Sequence, residues 1–285
     1  MKGYLIVNHF LRTPKFEELN QWLVTAAQNA GMELIIKTNV ECMSSVGAGH
    51  EKEEDISFVL FWDKDIKLAR MLEGRGYRLF NCADAIEICD DKALTHIALE
   101  KEGVPMPKTW IGPMTYENIG YTDYDFLEII ENDLGYPMVT KECFGSFGMQ
   151  VYLCNNRTEV EEHLTRNMIF QEYIPSSFGR DIRLQVVGDR VITGMYRYSE
   201  NGDFRANITN GGKMKPYEWT KEQEELAVKS VKALGLDFAG VDILFGTDNQ
   251  PIVCEVNSNA HFKNIFHCTG VNTADYIMEY IKSNR

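Results

Sequence analysis

A chain of 285 residues, 44% hydrophobic and 25% charged, holds enough apolar material for a large buried core and for two or three compact units, so disorder is not the default reading. A formal net charge of −13 argues against a nucleic-acid backbone as the main partner. No apolar run reaches the length of a membrane span or a secretory leader, and the seven cysteines form no Cys-x-x-Cys pair, so the expectation is a cytoplasmic protein with free, buried thiols and no membrane partner.

Residues 1–90 alternate strand and helix. Tyr4 to Val7 reads as a buried strand, Phe16 to Ala30 carries apolar residues at helical spacing and stops at Gly31, and Glu33 to Lys37 is a second strand. After an exposed loop from Glu41 to Asp55 come a strand at Phe58 to Trp62, a helix from Asp65 to Arg75, and a short strand at Leu79 to Asn81. This rhythm predicts a small parallel sheet with helices on its faces. Without a Gly-x-Gly-x-x-Gly turn it is not read as a dinucleotide domain.

Residues 91–174 form a second expected unit. Asp90 and Asp91 cap a helix running to about Glu102, and prolines at Pro105 and Pro107 break it off. A helix from Tyr121 to Glu131, a hairpin of Met138 to Lys141 with Val151 to Leu153, a helix from Thr158 to Arg166 and a strand from Ile169 to Ile174 follow. Residues 175–285 form the third unit and read as mostly antiparallel. Its strands are Ile182 to Val187, Arg190 to Tyr198, Phe238 to Phe245 and Ile252 to Asn257, with helices at Glu222 to Leu234 and Asn272 to Lys282.

The last hairpin carries the strongest chemical signal. Alternation puts Asp242 on the face opposite Val241, Ile243 and Phe245, and puts Glu255 and Asn257 opposite Cys254 and Val256. A two-residue turn at Asp248 and Asn249 would set Asp242 across from Glu255. At about 4 Å and an effective dielectric near 20, that repulsion is on the order of 4 kcal/mol. A divalent cation reverses the sign, and two carboxylates with an amide oxygen suit magnesium; a solvated face and an acid–base pair are the alternatives.

Other candidates are individually weaker. Lys141 precedes Cys143-Phe144-Gly145-Ser146-Phe147-Gly148, whose glycines allow backbone N–H groups to wrap a phosphate, or which is an ordinary hairpin loop. Cys143 is the one candidate for a catalytic thiol. Arg183, Arg197 and Arg205, with Asp181 and Asn207 near, match phosphate or carboxylate geometry or are scattered surface charges. Glu172-Tyr173-Ile174 ends a strand at Pro175, as a purine-binding junction or a plain linker. His261 and Lys263 stand in a loop, near substrate or as surface groups.

In order along the chain, these pieces resemble the ATP-grasp superfamily, and within it the RimK-like carboxylate–amine ligases. The resemblance runs from about residue 85 to the end. It rests on Asp91-Lys92, Val104-Pro105-Met106-Pro107-Lys108-Thr109, Phe170-Gln171-Glu172-Tyr173-Ile174, Asp181-Ile182-Arg183, Asp203-Phe204-Arg205-Ala206-Asn207, Ala239-Gly240-Val241-Asp242-Ile243 and Glu255-Val256-Asn257. It implies an α/β (α+β) ATP-grasp fold with an N-terminal Rossmann-like domain, a small lid and a C-terminal antiparallel subdomain.

The resemblance also implies roles. Lys92 and Lys141 contact ATP phosphates, with the loop of Gly145, Ser146 and Gly148 over them. Glu172, Tyr173 and Ile174 hold adenine, and Asp181 approaches the ribose. Arg205 and Asn207 lie at the phosphates and the reacting carboxylate, Arg183 and Arg197 near nucleotide and substrate, and Asp242, Glu255 and Asn257 carry magnesium or manganese. The family's best-known member continues with Ser-Pro-Gly where Ser258-Asn259-Ala260-His261-Phe262-Lys263 stands here, which leaves the amino acid open, glutamate being the example. The implied activity joins a small carboxylate to an amine or peptide through an acyl-phosphate, in a possible homo-oligomer. A phosphotransferase on the same scaffold and a non-catalytic ATP-binding protein are the alternatives.

Overall fold

The computed structural model describes residues 1–47, 49, 51–145, 149–208 and 211–284. The chain begins with β1 (Lys2–Val7), α1 (Pro14–Asn29), β2 (Glu33–Thr38), β3 (Phe58–Phe61), α2 (Ile66–Gly74) and β4 (Leu79–Phe80). The four strands form a parallel sheet in the order β2-β1-β3-β4. β1 is apolar on both faces because both are covered: Leu5 and Val7 pack with Leu19 and Leu23 of α1, while Tyr4 and Ile6 pack with Leu68 and Leu72 of α2. Two helices then follow back to back, α3 (Ala83–Asp90), absent from the sequence reading, and α4 (Lys92–Lys101). Asp91 accepts hydrogen bonds from the backbone of Ala93 and Leu94, the cap that starts α4.

The middle of the chain contains β5 (Thr109–Ile111), α5 (Phe126–Leu134), β6 (Met138–Glu142), β7 (Val151–Cys154), α6 (Arg157–Glu162) and β8 (Met168–Glu172). These strands form an antiparallel sheet ordered β5-β8-β6-β7. α5 starts later than Tyr121. The Tyr121 hydroxyl donates to the Pro113 carbonyl at 2.7 Å and holds that segment as a loop, and the buried stripe begins only at Leu127 and Ile130.

The remainder comprises β9 (Arg180–Val187), β10 (Arg190–Tyr198), β11 (Lys213–Pro216), α7 (Lys221–Ala233), β12 (Phe238–Phe245), β13 (Pro251–Asn257), α8 (Lys263–Thr269) and α9 (Thr273–Ser283). Its sheet is antiparallel, ordered β11-β10-β9-β12-β13. One face buries Ile182, Leu184, Val241 and Val253 against Leu226, Ala227 and Val231 of α7. Lys263 is the first residue of α8 rather than part of a loop, because Ile265 and Phe262 are drawn into the core shared with α1. Asn81, fully buried, accepts from the backbone of Asp237 and Phe238 and donates to the carbonyls of Phe238 and Ser258, which ties the first sheet to the last. All seven cysteines are free, and among the described residues no helix is long and apolar enough to cross a membrane.

Candidate active site

The hairpin of β12 and β13 reaches the expected pairing by an unexpected route. Its turn spans Thr247–Asn249, one residue longer than a two-residue turn, with Asp248 and Asn249 both in the left-handed region. Near the turn, Leu244 therefore pairs with Ile252 and Ile243 with Val253. A β-bulge at Cys254 then absorbs the offset, and Asp242 faces Glu255 while Gly240 faces Asn257. The bulge also corrects the facial assignment of Cys254. Val253 and Val256 both enter the core, so Cys254 lies on the same side as Glu255, lining a cleft with Asp242 and Leu244. Simple alternation fails there because the extra residue has no partner on β12.

Asp242 and Asp181 are buried and held by two arginines. Arg183 grips Asp242 with two bonds of 2.6 Å; Arg197 grips Asp181 at 2.6 and 2.7 Å and reaches Asp242 at 2.9 Å. β9 and β10 present these side chains in register, since Arg197 pairs with Asp181 and Arg183 with Asp242 on the neighbouring strands. Burial pushes the Asp242 carboxyl up, but the two guanidinium groups outweigh it and hold it below the usual carboxylate range. Oδ2 of Asp242 takes two arginine donors and Oδ1 one, so a lone pair remains on Oδ1 for a cation.

The two lysines approach from the other side. Lys141 is buried on β6, its ammonium donating to Oε1 of Gln171 at 2.6 Å and lying 3.9 Å from the Cys254 sulfur. Lys92, at the start of α4, donates to the Gly145 carbonyl at 3.2 Å and stands 3.9 Å from Glu255. Gly145 has φ of 155°, and a Cβ there would sit 2.6 Å from the Gln150 side-chain oxygen, so the loop's path requires glycine. Ser146 and Gly148 lie outside the described residues. Cys143 is buried, and burial pushes its thiol up to about 11, which removes it as a thiolate nucleophile. Arg205 is forked onto Asp203 at 2.9 and 3.1 Å, and the Glu172 carboxylate accepts from the Lys108 backbone at 3.2 Å.

These groups line two adjoining clefts. The first runs between the middle and last sheets and opens to solvent. Val139, Ile174, Phe204 and Leu244 supply apolar walls, and Glu172, Tyr173, Asp181, Lys141, Arg205 and Asp242 supply polar ones. The second opens between the first and last sheets, where Lys15, Lys64, Arg183, Asn257 and His261 line it. Lys92, Gly145, Arg197, Asn207 and Glu255 belong to both. Asn207 is held there by a close approach: a Cβ on Gly212 would lie 2.5 Å from the Ala206 carbonyl oxygen and 2.9 Å from that of Asn207.

The model of the RimK-like ATP-grasp domain matches residues 89–281. The chain belongs to the RimK-like ATP-grasp family. An uncharacterized protein of Mycoplasma genitalium is 35% identical over 270 residues, covering 91% of this chain and 92% of its own length. A probable alpha-L-glutamate ligase of Pseudomonas fluorescens is 35% identical over 75% of this chain and 70% of that protein. Beta-citrylglutamate synthase B of Danio rerio is 34% identical over 78% of this chain and 54% of that protein, so the chain spans about half the synthase's length. The crystal structure of a RimK domain ATP-grasp protein from Sphaerobacter thermophilus superposes with a TM-score of 0.71 at 19% identity, covering 99% of this chain and all of that one. The expected ATP-grasp fold and ligase class stand with this family.

Within the RimK-like frame, the sequence reading missed four contributors: Gln171, His96, Lys15 and Lys64. A glutamine inside the apolar strand Met168–Glu172 was a legible signal for the first. Lys15 and Lys64 had none, since only the placement of the first sheet brings them to the second cleft. His261 lines that cleft as well; burial, with Lys15 and Arg183 near, pushes its imidazole down to about 4. The side-chain nitrogen of Asn257 and side-chain oxygen of Asn259 are buried there with no hydrogen-bond partner among the described residues.

Proposed function

We propose that this chain is an ATP-dependent carboxylate–amine ligase that activates its acid as an acyl-phosphate. One observation carries the reading: two clefts of mixed polar and apolar lining share one wall, and that wall carries Lys92, Arg197, Asn207 and Glu255. ATP lies in the first cleft, its purine between Val139, Ile174 and Leu244 and its edge against the Glu172-Tyr173-Ile174 backbone. Its phosphates point at Lys141, Lys92 and Arg205.

Asp242, Glu255 and Asn257 fit a divalent cation. They offer hard oxygens from paired positions on one face, and a lone pair remains on Asp242. Among the described residues no three His, Cys, Asp or Glu side chains form a cage, so a cation held by Asp242, Glu255 and Asn257 would need its remaining ligands from phosphate and water. When bound, magnesium or manganese offsets phosphate charge.

The substrate carboxylate enters from the second cleft and attacks the γ-phosphorus, breaking the bond to the bridging oxygen and releasing ADP. Lys92, Lys141 and Arg205 stabilise the charge that develops. The amine, deprotonated, then attacks the acyl carbon, and phosphate leaves as the amide forms. Closure of the strand and loop around Gly145 keeps water from the acyl-phosphate. The relatives named for glutamate ligation and citrylglutamate synthesis support an amino acid such as glutamate as one component.

The test is a screen of ATP and magnesium with pairs of amino acids, small acids and peptides, reading phosphate release and product mass. Amide with equal ADP and phosphate is expected. ADP without free phosphate, together with a phosphorylated product, would instead make the chain a phosphotransferase.

A further inference from the structure

Behind the nucleotide cleft, four groups form a hydrogen-bond chain with a single direction. Lys141 donates to Oε1 of Gln171 at 2.6 Å, Gln171 Nε2 lies 2.9 Å from Nε2 of His96, and His96 Nδ1 lies 2.7 Å from the Lys92 carbonyl. A carbonyl only accepts, so Nδ1 carries the ring proton and Nε2 of the neutral ring accepts from Gln171. That fixes the amide, turning its oxygen to Lys141. The second Gln171 hydrogen goes to the Thr109 hydroxyl at 2.9 Å, which donates to the Pro107 carbonyl at 2.8 Å. Both hydrogens of the Gln171 amide are used, while the Lys141 ammonium keeps further donors for the cleft.

We propose that His96 and Gln171 are positioning residues that aim the Lys141 ammonium into the nucleotide cleft and hold it in register with Lys92. The inference rests on the reading that Lys141 contacts the nucleotide. Lys141, Gln171 and His96 are each at most 6% exposed, so water does not substitute for the chain. Among the described residues Lys141 forms no ion pair; its neutral amide partner leaves its full charge for a phosphate. The far end is anchored on the first turn of α4, whose Lys92 side chain stands on the wall shared by the two clefts. Two lysines from separate elements are thereby spaced by two intervening side chains. A proton on Nε2 of His96 would face the amide hydrogens and turn Gln171 over. Burial, with Lys141 and Lys92 as the charged groups facing the ring, pushes His96 down to about 4 and keeps the chain intact at neutral pH.

The experiment measures the dissociation constant of magnesium ADP by calorimetry for wild type, Lys141→Ala, His96→Phe, Gln171→Leu and the double variant His96→Phe/Lys141→Ala. Each single variant is expected to bind about tenfold more weakly, the effect of one charge-assisted hydrogen bond. The double variant is expected to match Lys141→Ala, because His96 acts only through that lysine. Additive losses overturn the positioning role and leave His96 a packing residue. An unaffected Lys141→Ala shows instead that the parent reading has failed. Nitrogen-15 spectra of wild type at pH 6.5 supply a test independent of variants: a neutral His96 protonated on Nδ1 is expected, and an Nε2-protonated or cationic ring overturns the inference.

Discussion

Replacing Arg197 with methionine tests the electrostatics of the site most directly. Its side chain is 4% exposed and answers two buried carboxylates, with bonds of 2.6 and 2.7 Å to Asp181 and 2.9 Å to Asp242. Asp242 keeps Arg183, but Asp181 loses the guanidinium that grips it. Removing one partner of a buried pair costs about 3–5 kcal/mol. At roughly 2–4 °C per kcal/mol for a chain of this size, the melting temperature should fall by about 10 °C. The sign of the pH dependence follows from Asp181. Burial already raises its carboxyl above the usual value, and without Arg197 it rises further. The folded variant then binds a proton that the unfolded chain releases, so stability falls as pH rises from the unfolded value through the folded one. The deficit should be larger at pH 8 than at pH 5.5, and Asp181→Asn in the same chain should recover part of it. Thermal melts of wild type, the single variant and the double variant at both pH values measure this. A single variant that melts within about 2 °C of wild type at both would refute the claim that Arg197 compensates buried charge.

Glu255→Ala should behave oppositely: among the described residues its only ion pair is a 3.9 Å contact to Lys92, so melting should move by less than about 1 kcal/mol equivalent while substrate-dependent ADP formation disappears. Wild-type turnover in that variant would remove the carboxylate from the metal site. Chelation of divalent ions should abolish turnover, and added magnesium or manganese should restore it, with little change in the melting of nucleotide-free protein. Gly145→Ala forces a side chain into the left-handed region and against Gln150, a cost of about 1–2 kcal/mol before the clash. The KM for ATP is expected to rise about tenfold, since the loop that receives Lys92 must move, and an unchanged KM would show that this loop does not cover the nucleotide.

Asp181, Asp242, Glu255, Lys141, Arg183 and Arg197 were legible because each stands at a strand position with a polar side chain among apolar neighbours, and strand alternation has a period the sequence displays; Lys92, at a helix start, and Arg205, outside the strands, were legible only from the resemblance. Asp242 and Glu255 were read as facing each other, and they do. The path differs from the two-residue turn that alternation predicts, since a turn one residue longer and a bulge at Cys254 cancel in register while moving the thiol to the cleft side. β5 and β11 escaped notice because neither buries a residue, so neither carries an apolar pattern of its own, and they exist through their partners β8 and β10.

By itself the sequence determined the longer elements in their order, most of their buried faces and the kinds of chemical group available, all of which follow from local spacing and side-chain polarity. Only the tertiary structure decided which groups meet. Arg197 answers two aspartates, His96 reaches Lys141 through Gln171, and Lys15 and Lys64 join the second cleft from α1 and from the loop before α2. Those encounters depend on how three sheets pack, and packing is fixed by long-range burial that no local pattern encodes.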